Sequence, residues 1–210
     1  MKSRTVLALA ILVPGFLQGC PAPLYQVSRL PESSPLPQPA PIAADAAYVH
    51  APSRYVFPVA VAGFRRVALT RYDTSGLDVS AGYNAGSSDC PVRLTLYVAP
   101  APRMSFVGAN PSVVHALETR WLDSSYQRWK NEIAGAHPQA SLVQEDARDL
   151  DGAPGRSAVY AIDADQSELS VRLVDQTWFV TYRGSFPATC AAQARALKDA
   201  FFAGWQGRGA

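Results

Sequence analysis

The stretch SELSVRLVDQTWFVTYRGSF, residues 167–186, restricts the fold more than any other part of this chain. Leu169, Val171 and Leu173 alternate with Ser170 and Arg172. Trp178, Val180 and Tyr182 then alternate with Phe179, Thr181 and Arg183. A period of two sends successive side chains to opposite faces of a strand, whereas a helix would scatter the same residues around its axis. Asp175-Gln176 is a short, turn-prone link between the runs, so the segment predicts an antiparallel hairpin.

Other segments follow the same rhythm. In VRLTLYVA (92–99), Val92, Leu94, Leu96 and Val98 point one way, with Arg93, Thr95 and Tyr97 opposed. RRVALTRY (65–72) and DVSAGY (78–83) flank the turn-prone DTSG, and SLVQEDARDL (141–150) and RSAVYAI (156–162) flank DGAPG. Between these groups the period lengthens. Asn110 is a suitable N-cap with Pro111 in the first helical position. Val113, Leu117, Trp121, Trp129 and Ile133 then recur at multiples of four, with Leu122 and Tyr126 flanking, until Gly135. A second helix starts near Thr189, with Cys190, Ala194, Leu197, Phe201 and Trp205 on its apolar face, and ends at Gly207.

Three strands, a helix, four strands and a helix, joined mostly by short turns, predict an α+β domain over residues 55–210. Its sheet should be mainly antiparallel, with six to seven strands and both helices packed on one face. This element order resembles the PsbP/Mog1-like topology found in several small exported lipoproteins.

The first residues indicate export. Lys2 and Arg4 precede the apolar run VLALAILVPGFL (6–17). A bilayer core of roughly 30 Å needs about 20 helical residues, so this run is too short to span, and Pro14-Gly15 would end a helix. The pattern is that of a secretory signal over residues 1–19. Leu17-Gln18-Gly19-Cys20 resembles the lipobox of bacterial lipoprotein precursors, departing from it at Gln18. The resemblance implies cleavage before Cys20 and a diacylglyceryl group on its sulfur. Pro21 in place of aspartate implies the outer membrane, facing the periplasm. Two or more acyl chains hold a protein firmly where one binds reversibly. Residues 20–54 carry a Pro-x-Pro rhythm and few periodic apolar positions, and read as an extended tether of polyproline character.

Lipidation of Cys20 leaves Cys90 and Cys190, which in an exported chain are expected to form a disulfide. The formal charge of +2 falls to zero once Lys2 and Arg4 are removed with the leader. Such a chain lacks the positive field that nucleic-acid binding requires.

No catalytic constellation emerges. G-x-S-x-G and S-x-x-K are absent, and His50, His115 and His137 are far apart in sequence. Neither a metal nor a cofactor is expected. Asp163, Asp165 and Glu168 read as a solvated loop lacking the glycine of an EF-hand. GYNAGSSDC (82–90) reads as a connection between strands. Glu145 and Asp149 share a strand face and supply the acid/base pair of a rival hydrolase reading. The favoured reading is a non-catalytic envelope lipoprotein. The lipid holds it to the membrane while Tyr72, Arg93, Tyr97, Tyr160, Arg172 and Arg183, projecting from the sheet face opposite the helices, engage another envelope protein. A small-molecule carrier is a further possibility, and needs an apolar cavity beneath the long helix.

Overall fold

A computed structural model describes residues 33–102, 110–150, 152–205 and 207–208, and for 148–150 the backbone. The leader, Cys20 and the first part of the proline-rich segment lie outside these residues. In chain order the elements are β1 (Pro35–Pro41), β2 (Tyr48–His50), β3 (Tyr55–Phe57), β4 (Ala60–Val61), β5 (Phe64–Asp73), β6 (Val79–Gly86) and β7 (Pro91–Pro100). Then come α1 (Pro111–Ala136), β8 (Ser141–Leu150), β9 (Ala153–Ile162), β10 (Asp165–Val174), β11 (Trp178–Pro187), a 3-10 turn (Ala188–Cys190) and α2 (Ala191–Gly204). One antiparallel sheet runs β1-β5-β6-β7-β11-β10-β9-β8, with β4 also paired to β5. All seven expected strands are present. The sheet nevertheless has nine strands, not six to seven, because β1 and β4 join it.

β1 moves the boundary of the folded unit. Part of the segment expected to be a free tether pairs with β5, so folding begins before residue 55. Proline is tolerated in a sheet where its missing N–H is not needed. The Ser34 carbonyl accepts from the Thr74 N–H, and the Ile42 N–H donates to the Leu69 carbonyl. Both residues flank the strand at even positions, while Pro35, Pro37, Pro39 and Pro41 occupy the odd ones within it. A proline-rich strand also makes a poor template for further pairing at a sheet edge.

The helices do not share a face. Val98 of β7 pairs with Val180 of β11, whereas Leu173 of β10 pairs with Phe179. Val180 and Phe179 are neighbours on one strand, so the apolar rows of β7 and β10 point to opposite sides of the sheet. Val79, Tyr83, Leu94, Leu96, Val180 and Phe186 meet Ala194, Phe201 and Trp205 of α2 in one core. Leu169, Val171, Leu173 and Phe179 meet Leu122, Tyr126, Trp129 and Ile133 of α1 in the other. The expected single layer of helices is thus corrected to a sheet covered on both sides, which an apolar row on each side demands.

α1 begins as its sequence directs. The Asn110 carboxamide oxygen accepts from the Ser112 N–H at 3.0 Å, and Pro111 follows the cap. The helix continues through Gly135 to Ala136, where the His137 N–H bonds to the Ile133 carbonyl. Its buried stripe is Glu118, Leu122, Ser125, Tyr126, Trp129 and Ile133, rotated from the expected one, and Val113 is 52% exposed.

Two devices fix one end of the first core. Gly86 has φ +89°, and a Cβ there would lie 2.0 Å from the Cys90 carbonyl oxygen, so the β6–β7 hairpin closes only with glycine. Cys90 then bonds to Cys190 with Cα atoms 6.0 Å apart, joining the start of β7 to the turn before α2. The small β2–β3 sheet is held by His50, 1% exposed. Its Nε2–H donates to the Gly76 carbonyl at 2.8 Å, so Nδ1 accepts from the Ser53 hydroxyl at 2.6 Å. Burial holds the His50 pKa below the usual imidazole value, favouring this neutral form.

Candidate functional site

The six Tyr and Arg side chains expected on one open face are dispersed by the two-sided packing. Tyr97 stacks on Trp129 of α1 with ring centroids 4.6 Å apart, and the Arg183 guanidinium lies over the same indole at 5.8 Å. Tyr160 is buried in the α1 core. Arg172 pairs across the sheet with Val180 and so belongs to the α2 side. Arg93 stays exposed, and Tyr72 remains beside Tyr97, its hydroxyl 2.9 Å from that of Ser80. The face is an interior surface over much of its extent.

The acid/base pair fares no better. Glu145 accepts from the Lys130 ammonium at 2.8 Å and from the Tyr126 hydroxyl at 2.9 Å. Lys130 first, then Tyr126, hold its pKa below the usual carboxylate value, which suits a fixed anion and not a proton donor. The Asp149 side chain lies outside the described residues. A four-residue spacing on a strand spans about 13 Å at 3.3 Å per residue, beyond the roughly 5–9.5 Å that paired carboxylates use in glycoside hydrolysis. Asp163 accepts from Gln139 while Glu168 turns inward. Among the described residues no group of three His, Cys, Asp or Glu side chains is placed to hold a metal.

Two of the depressions among the described residues bear on a site. On the α2 side, a polar groove of about 560 Å³ lies over β8–β10. Its floor carries the buried Glu168, which accepts from Lys198 at 2.6 Å and from Arg195 at 3.2 Å. Both cations already serve one carboxylate, an arrangement that joins α2 to β10. A buried carboxylate without such partners would be costly.

The second depression lies beneath α1, and its volume is about 520 Å³. α1 supplies the roof through Trp121, Ser124, Ser125 and Arg128, while Phe179, Pro100 and Tyr72 of the sheet supply an apolar floor. Asp73 and Asp78 close one end. Asp73 is placed by the chain turning around it, since it accepts from the Ser33 hydroxyl and from the Asp78 N–H. Burial pushes the Asp78 carboxyl up to about 6, with Arg128 opposing and Asp73 and Glu132 reinforcing the shift. The Ser125 hydroxyl is buried and has no hydrogen-bond partner among the described residues. An apolar cleft with a few convergent polar groups and a perturbed carboxylate is the usual form of a small-ligand site. From the sequence, the space beneath α1 entered only as the cavity that a small-molecule carrier would need, and nothing there showed that Asp78 and Ser125 would meet beneath the helix.

No family description and no curated protein matches this chain. Among solved structures it is similar to the solution structure of cyanobacterial PsbP (CyanoP) from Synechocystis. That likeness has 16% identity and a TM-score of 0.42, over 75% of this chain and 89% of the other. At that level it adds nothing to the reading of the cleft.

Proposed function

We propose that this is a non-catalytic lipoprotein of the bacterial envelope, held to the outer membrane by lipid on Cys20, which binds its ligand in the cleft beneath α1. The cleft carries the reading: it joins apolar walls to the half-buried Asp78 carboxylate and a buried hydroxyl that has no partner among the described residues. A compartment outside the cytosol is supported by the Cys90–Cys190 bond. With those two cysteines committed, Cys20 is the third of three and is left for the lipid.

The test is a photo-crosslinking amino acid placed at Ser124, an exposed residue on the cleft rim, with the same group at Ala192 on α2 as control. In intact cells, position 124 is expected to yield a discrete adduct that position 192 does not. Equal labelling from both positions, or none from 124, would remove the cleft from the account.

A further inference from the structure

The chemistry of the cleft narrows what it takes. Its charges are separated across its height, with Asp78 and Asp73 at the sheet and Arg128 on the helix above. Arg128 is exposed at the rim, its guanidinium 5.7 Å from the centre of the Trp129 ring. Trp121 and Phe179 line the same cleft. A neutral apolar ligand would strip more water from Asp78 with only the exposed Arg128 to offset it, and a simple anion would meet two carboxylates. Both outcomes are unfavourable beside a partly desolvated carboxylate.

We propose that the cleft binds a small zwitterion with an apolar body, an amino acid with a hydrophobic side chain. Its ammonium group sits on Asp78, its carboxylate is directed toward Arg128, and its side chain lies against Trp121 and Phe179. The Ser125 hydroxyl, without a partner among the described residues, donates to the ligand carboxylate. The proposal rests on the assignment of the cleft as the binding site.

It carries a pH dependence of definite sign. Asp78 titrates at about 6 in the folded chain, facing Asp73 and Tyr72 of β5 and Arg128 and Glu132 of α1. An ammonium group needs the ionised carboxylate, so affinity should fall roughly tenfold between pH 7 and pH 5. Stability runs the other way. The folded pKa is raised from 3.8, so ionising Asp78 disfavours the fold as pH rises through that window. Asp78→Asn should therefore melt higher than the native protein above pH 6 and equally below pH 4.

The mature protein, solubilised in detergent, is titrated calorimetrically with L-phenylalanine, N-acetyl-L-phenylalanine and L-phenylalaninamide. Support is L-phenylalanine binding that weakens at least tenfold when either end is capped. Asp78→Asn must also abolish that binding and its pH dependence while raising the melting temperature above pH 6. Equal binding of capped and free forms, blocked in both cases by Ser124→Trp, would overturn the zwitterion and leave the cleft standing. No binding of any of the three probes, alongside a discrete adduct from position 124 in cells, would likewise overturn the ligand class alone. No binding and no adduct would overturn both.

Discussion

Phe201→Ala is expected to destabilise the domain by about 3–5 kcal/mol, the range for truncating a fully buried phenylalanine. Phe201 is 0% exposed. Its ring meets those of Phe64, Tyr83 and Phe202 at centroid distances of 5.2, 5.1 and 5.4 Å. These rings come from β5, β6 and α2, so the void cannot close by moving one side chain. Rigid strands joined by a ladder of hydrogen bonds will not collapse into it cheaply. Val113→Ala is the matched control, expected within about 0.5 kcal/mol because that side chain faces solvent. Urea titration monitored by the tryptophans separates the two. A loss below about 1 kcal/mol for Phe201→Ala would show that α2 is not seated as described.

The second large effect concerns the Cys90–Cys190 bond. It closes a loop with a sequence separation of 100 residues, which contains β7, α1 and β8–β11. On the chain-entropy view a loop of that size is worth about 4–5 kcal/mol, and removing native bridges commonly costs about 2–5. Changing both cysteines to alanine should therefore lower the urea midpoint by a margin comparable to Phe201→Ala. Reductant should do the same to the native protein and nothing to the variant. An unchanged midpoint in the variant would mean that the bond is not formed.

Local structure was readable because each element carries its own period. The alternation in 92–99 and 167–186 marked β7, β10 and β11, and Asn110-Pro111 marked the start of α1. What could not be read strand by strand was the side to which each apolar row points. β7 and β10 each look one-sided, and a single layer of helices would satisfy either of them. β11 between them holds the answer, since Trp178, Val180 and Tyr182 face α2 while Phe179 lies under α1. A strand apolar on both faces needs two covers. From that one misjudged relation the Tyr and Arg side chains were placed on open surface, when Tyr97, Tyr160 and Arg183 meet or lie beneath α1. β1 escaped notice for a different reason: proline content argues against a strand on propensity alone, and only the pairing at Ser34 and Ile42 shows how it is accommodated. The cleft was invisible because Asp78 and Ser125 are 47 positions apart, on a turn and a helix that tertiary packing alone brings together.

The account depends most on the chain working outside the cytosol, fastened to a bilayer at its new amino terminus. The direct measurement is the intact mass of the protein recovered from membranes of cells making either the native chain or Cys20→Ser. The native chain should start at residue 20 and carry the added mass of a diacylglyceryl group, and Cys20→Ser should lose both the lipid and the membrane association. An unmodified Cys20 in the membrane fraction, or a serine variant that partitions as the native chain does, would contradict it.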